Sequence, residues 1–179
     1  MRRRLSHTVC GPLVFGAALV GCLDQSQGDP AAFAVEESRP TPSVELLGPV
    51  SDHADILAPA AKQAIAQKLV DLEKATGHQM VVVTVGSLDG REIEGYTTDL
   101  GNAWGIGRAG IDDGVILLVA PNERMVRIAV GDGLEEVLSD EFCSAVIQDS
   151  ILPSFGQGDY YLGIAAGTDA LVERLSNRR

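Results

Sequence analysis

Aromatic residues make up only 4% of this 179-residue chain, with a single tryptophan, and basic residues are outnumbered by acidic ones, 14 to 25. The first scarcity excludes an aromatic-rich core and leaves aliphatic and alanine side chains to build it. A hydrophobic content of 45% is enough for that, and argues against disorder; the length fits one domain. The second scarcity excludes nucleic acid as a partner. Once Arg2, Arg3 and Arg4 leave with an amino-terminal signal, eleven basic residues face 25 acidic ones, a formal charge of −14. Such a surface repels phosphate backbones and anionic headgroups and favours cations or basic partners.

Cysteine and histidine are nearly absent as well. Cys10 and Cys22 lie at the amino terminus, and Cys143 stands alone in FCSAVI, where a buried apolar thiol is expected rather than a nucleophile. With Cys10 removed and Cys22 lipidated, no bridge can form within one mature chain. His53 and His78 are the histidines left after processing, and without a cysteine cluster they do not suggest a zinc site. His78 follows the helix-ending Gly77 and is expected at a surface turn. Ser51-Asp52-His53 has the residue types of a hydrolytic triad, but consecutive residues cannot adopt its geometry, and no G-x-S-x-G elbow exists.

No carboxy-terminal apolar run is long enough to span a membrane, and the run from Val9 to Gly21 has thirteen residues against the roughly 20 a spanning helix needs. It follows three arginines and ends in Leu19-Val20-Gly21-Cys22, the pattern of a bacterial lipobox. The expectation is a lipoprotein signal peptide over 1–21, lipidation of Cys22, and an extracytoplasmic domain in the cell envelope, held to a membrane by lipid. Residues 22–49, with four prolines and no sustained periodicity, are expected to be a flexible tether reaching roughly 90 Å when extended.

From residue 50 to 179 helical and strand patterns alternate, which predicts α/β layering in a single domain. Pro59 opens a helix carrying Ile65, Leu69 and Leu72 at helical spacing until Gly77, and QMVVVTV is a short β-branched strand. Asp89 with Glu92 suggests a capping box for a second helix that fades by Gly101. GVILLVA over 114–120 reads as a strand covered on both faces, and MVRIAV follows a tight turn to form an antiparallel hairpin with it. Ser139 should cap a helix through about Leu152, and a last helix begins near Asp159.

WGIGRAGIDDG, residues 104–114, has the spacing G-x-G-x-x-G, but a dinucleotide fingerprint needs a strand before its glycines and a helix after them. Here the order is helix, glycines, strand. The hairpin instead brings Asp112 and Asp113 near G-D-G-L-E-E, and so near Asp132, Glu135 and Glu136. Carboxylates and carbonyls gathered at one sheet end suit a hard cation, Ca²⁺ or Mg²⁺; turn chemistry alone explains the same residues nearly as well. A turn at Asp112 is required if adjacent side chains are to serve one ion. Trp104 is expected to plug the core under a loop, and Arg127 to pair with a carboxylate.

In order along the chain, VSDHA at 50–54, a helix ending in T-G, the strand VVVTV, WGIG, DDGVILLVA, VRIAVGDGLE and PSFGQGDYYLGI resemble the TPM domain family. That family includes a thylakoid-lumen acid phosphatase, photosystem II repair factors, an auxiliary subunit of a nematode acetylcholine receptor and many bacterial envelope proteins. The resemblance implies a three-layer α/β sandwich, with a central mixed sheet flanked by helices and an acidic cleft for divalent cations. It places Asp52, Asp112 and Asp113 in that cleft, with Glu135 lining it. Two functions follow as expectations. One is a cation-binding module, monomeric as a domain, that works on or with a membrane-protein complex. The other is a cation-dependent phosphomonoester hydrolase in which Asp112 or Asp113 acts as base or nucleophile. The first is preferred, because an acidic cleft without a Lys/Arg clamp repels phosphate.

Overall fold

The computed structural model describes residues 44–177, so the expected signal peptide, Cys22 and most of the expected tether lie outside the described residues. In chain order the elements are β1 (Val50–Asp52), α1 (Pro59–Thr76), β2 (Gln79–Thr84), α2 (Ile93–Trp104), β3 (Gly114–Ala120) and β4 (Met125–Val130). A 3-10 turn (Asp132–Leu134) then leads to α3 (Asp140–Ala145), a π turn (Val146–Ile151), α4 (Leu152–Phe155) and α5 (Tyr160–Ser176).

The strands stand in the order β1-β2-β3-β4, with β1, β2 and β3 parallel and β4 antiparallel to β3. Alternation along β3 sorts its side chains to two cores. Val115, Leu117 and Val119 face α1, α3 and α5 through Leu69, Cys143, Ile164 and Leu171, while Ile116, Leu118 and Ala120 face α2 through Tyr96 and Leu100. All seven residues of β3 are buried, which is why the segment carries no polar face. The result is the three-layer α/β sandwich: α2, a mixed sheet, and the remaining helices. Both parallel connections step the same way across the sheet, yet α1 and α2 cover opposite faces. The two crossovers are therefore of opposite hand, and one is of the rare left-handed kind.

Three elements differ from the sequence reading. β1 is three residues long, too short to show a period, and exists through its parallel pairing with Val82–Thr84. Asp89 adopts φ +52° instead of capping a helix; α2 starts after Glu92, which makes no side-chain cap bond. That helix also continues through Gly101 to Trp104, because Gly101 is where the Ile116 side chain packs, within 2.9 Å of where a Cβ would stand. The helix opened by Ser139, whose Oγ accepts the Phe142 N–H, runs on to Phe155 through the π turn. Pro153 has no N–H to give back to the preceding turn, which suits a widened helical turn immediately ahead of it.

The end of the expected tether is fastened to the domain. Val44 packs against the α2 core, Trp104 Nε1 donates to the Val44 carbonyl at 3.3 Å, and the Leu47 N–H donates to Ser51 Oγ at 3.0 Å. His53 Nε2 lies 2.8 Å from the Glu45 carbonyl oxygen, so residues 44–49 form a strap over β1 rather than free chain.

Candidate functional site

The turn joining β3 and β4 is closed by the Arg124 N–H donating to the Pro121 carbonyl at 3.2 Å. This hairpin aligns the start of β3 with the end of β4, as its sequence predicted. The Gly131 N–H donates to the Gly114 carbonyl at 2.9 Å, and the Gly133 N–H to the Asp112 carbonyl at 3.1 Å. The glycines are what permit this contact. A Cβ on Gly107, which sits at φ +101°, would stand 2.7 Å from the Gly114 nitrogen, and one on Gly133 would stand 1.9 Å from the Ile111 carbonyl oxygen. Within G-x-G-x-x-G, Gly107 thus allows a close backbone approach, while Gly105 and Gly110 supply positive φ with open space beside them.

Asp112 and Asp113 part company at this junction. Asp112 takes the expected turn, with φ +54°, and its side chain is exposed. Asp113 is 1% exposed and accepts four N–H donors: Arg108 N at 2.8 Å, Arg108 Nε at 2.9 Å, Arg108 Nη2, and His78 Nδ1 at 3.1 Å. Burial by itself raises the Asp113 carboxyl; the hydrogen bonds and charge of Arg108, with His78, outweigh it and hold the group well below the usual carboxylate range. Both oxygens are occupied, so Asp113 is an internal strut between the glycine loop and the start of β2. Gln79 extends the same joint by accepting the Gly107 N–H at 2.9 Å.

Asp52 serves a comparable role elsewhere. Its Oδ1 accepts the Ile56 N–H at 3.2 Å and the Thr84 hydroxyl, and its Oδ2 accepts the Leu57 N–H at 3.1 Å and Lys62 Nζ at 2.8 Å. Burial raises this carboxyl too, and Lys62, Thr84 and the two backbone donors hold it below its ordinary value. Asp52 therefore pins the 53–58 loop to the carboxyl ends of β1 and β2.

The four carboxylates assigned to one cleft are not one cleft. Asp52 is level with Thr84, whereas the Asp113 carbonyl accepts the N–H of Gln79 at the other end of β2. Five residues of strand separate them, roughly 17 Å at about 3.3 Å per residue. Asp112 and Glu135 are both exposed, whereas Asp113 is buried. Among the described residues no three His, Cys, Asp or Glu side chains are grouped to hold a metal ion. The residues present do not fit a shared Ca²⁺ or Mg²⁺, because Asp52 and Asp113 spend every oxygen on donors from their own chain.

Reading the sequence missed Arg108, Lys62 and Thr84, which make these joints, and placed His78 at a surface turn although its side chain is 12% exposed and bonded to Asp113. The spacing R-x-x-x-x-D within a glycine loop was the available signal for Arg108. Other expectations held. Arg127 pairs with Glu94 at 2.7 Å, Trp104 packs at the edge of the α2 core, and Cys143 is buried, its thiol pushed up to about 11 by burial.

The TPM domain model matches residues 50–174 of the chain. No curated protein matches. Among solved structures, the N-terminal domain of a protein from P. gingivalis is 30% identical, with a TM-score of 0.67 over 70% of this chain and 80% of that one. The N-terminal domain of a Corynebacterium glutamicum protein is 18% identical, with a TM-score of 0.58 over 75% of this chain and 84% of that one. A protein from the psychrophilic bacterium Bizionia argentinensis is 22% identical, with a TM-score of 0.59 over 67% of this chain and 81% of that one. The last two share the fold. With most of the folded chain matched, from VSD of β1 into α5, the chain belongs to the TPM domain family.

Proposed function

We propose that this TPM domain is a binding module, held by lipid at Cys22 on the outer side of a bacterial membrane, that works with a membrane-protein partner and is not a hydrolase. One observation carries the choice against hydrolysis: Asp113, the candidate base or nucleophile, is buried and occupied by Arg108 and His78. A carboxylate that attacks phosphorus or water needs a free oxygen at the substrate. Asp52 is equally committed, which leaves Asp112 as the exposed one of the three aspartates. The lipid anchor rests on the Leu19-Val20-Gly21-Cys22 pattern, and the partner on the acidic surface expected after processing.

Ca²⁺ or Mg²⁺ enters this reading only at the exposed carboxylates of the glycine loops, Asp112, Asp132, Glu135 and Glu136, where few ligands would hold it weakly. A built site would raise stability by RT ln(1 + [L]/Kd), about 2.7 kcal/mol at a hundredfold excess. The piece from Arg39 to Arg179 contains every residue of both cores and suits the test. Its melting temperature in millimolar Ca²⁺ or Mg²⁺ is expected to equal that in sodium chloride of the same ionic strength. A cation-specific rise removed by Asp112→Asn would restore a built cation site.

A further inference from the structure

The motif P-S-F-G-Q-G-D-Y-Y is not used by either carboxylate joint, yet it walls the groove of about 530 Å³ between the hairpin turn and the α4–α5 corner. Val119, at the carboxyl end of β3, and Met125 line one side; Leu152, Phe155 and Tyr160 line the other. Phe155 and Tyr160 meet edge to face, with ring centroids 5.0 Å apart, which stiffens that wall. Met125 and Leu152 nevertheless remain 45% and 43% exposed, and Tyr161 and Leu162 extend exposed apolar surface along the first turn of α5. Large side chains left this open beside a concave surface mark a place where something else binds.

The same groove is lined by Arg124, whose side chain makes no ion pair or hydrogen bond among the described residues and whose backbone sits at φ +57°. The acids flanking it in sequence do not pair with it. Glu123 Oε1 accepts the Ser87 hydroxyl at 3.2 Å and the Leu88 N–H at 2.8 Å while its Oε2 is buried without a partner, and Asp159 Oδ1 accepts the Leu162 N–H at 2.9 Å. In a chain this acidic, a guanidinium without an ion pair beside an apolar floor is a specific combination. One guanidinium, with no second cation lining the groove, matches a monoanion better than a doubly charged phosphate.

We propose that this groove binds an amphiphilic monocarboxylate, with its apolar chain on Met125, Leu152 and Phe155 and its carboxylate on Arg124. The proposal is independent of the lipid anchor and of the partner. Sodium octanoate is the probe, and 1-octanol is the same chain without the charge. Titrating each into ¹⁵N-labelled 39–179 piece, octanoate is expected to give saturable shifts confined to Met125, Leu152, Phe155, Tyr160 and their neighbours, with octanol about tenfold weaker at the same residues. Arg124→Gln should weaken octanoate about tenfold and leave octanol unchanged. Leu152→Ser should weaken both, and if that variant does not fold, the octanol comparison and Arg124→Gln still decide. Shifts that do not saturate or fall elsewhere, equal binding of octanoate and octanol, or octanoate binding unaffected by Arg124→Gln would each overturn the proposal.

Discussion

At Asp113, Arg108 supplies three N–H donors, two from one side chain and one from its own backbone, and His78 supplies a fourth. This joint ties the glycine loop to β2 while Arg108 itself stays about half exposed. Replacing Asp113 by Asn leaves those donors under-satisfied, and a loss of about 1–3 kcal/mol is expected in urea unfolding, with the fold retained. The pH dependence has a fixed sign. Asp52 and Asp113 both have carboxyls depressed in the folded state. Their contribution is present above the unfolded carboxylate value of about 3.9 and is lost as pH falls through the lower folded values. Acid unfolding should therefore be steep below about pH 4. Asp113→Asn should flatten that limb relative to the parent; an unchanged limb would mean the Arg108–His78 joint carries no linkage.

Among the elements, the hairpin does most to position the loops, since its four-residue turn sets which backbone atoms of 111–114 meet those of 131–133. The Gly133→Ala methyl has nowhere to go without moving the Ile111 carbonyl. Overpacking of this kind costs about 1–3 kcal/mol, a melting temperature lower by roughly 3–10 °C. A parent-like melting curve would show that the two loops do not touch in solution. These elements were largely legible because their signals are periodic: α1, β2, β3, β4 and α5 each follow a continuous pattern of apolar residues. β1 was not, because Val-Ser-Asp has one apolar residue and becomes a strand only through its pairing with the distant Val82–Thr84. The carboxylate joints were illegible for a related reason. Asp52 and Thr84, or Asp113 and His78, are drawn together by strand register, which no local pattern reveals; Arg108, five residues from Asp113 in the same loop, left only the spacing R-x-x-x-x-D. Glycine loops with acids resemble a cation site in sequence, and a single arginine five residues upstream decides otherwise.

For the whole molecule, residues 50–174 form one family domain, and its two cores close around a sheet with helices on both faces. The proposed placement at a membrane rests on the Leu19-Val20-Gly21-Cys22 pattern. Expressed in a bacterial host, the parent is expected in the membrane fraction, and Cys22→Ser in the soluble fraction or unprocessed. A Cys22→Ser variant that is processed and still sediments with membranes would place the anchor elsewhere.

The most direct test of a binding module whose inner carboxylates are struts is turnover of a simple aryl phosphate by the purified 39–179 piece, with Ca²⁺, with Mg²⁺ and with chelator. The expected result is no hydrolysis above a blank preparation under any of the three conditions. Cation-dependent turnover that survives repeated purification, and is lost in a folded Asp112→Asn or Asp113→Asn variant, would contradict it and make the glycine-loop acids a catalytic site.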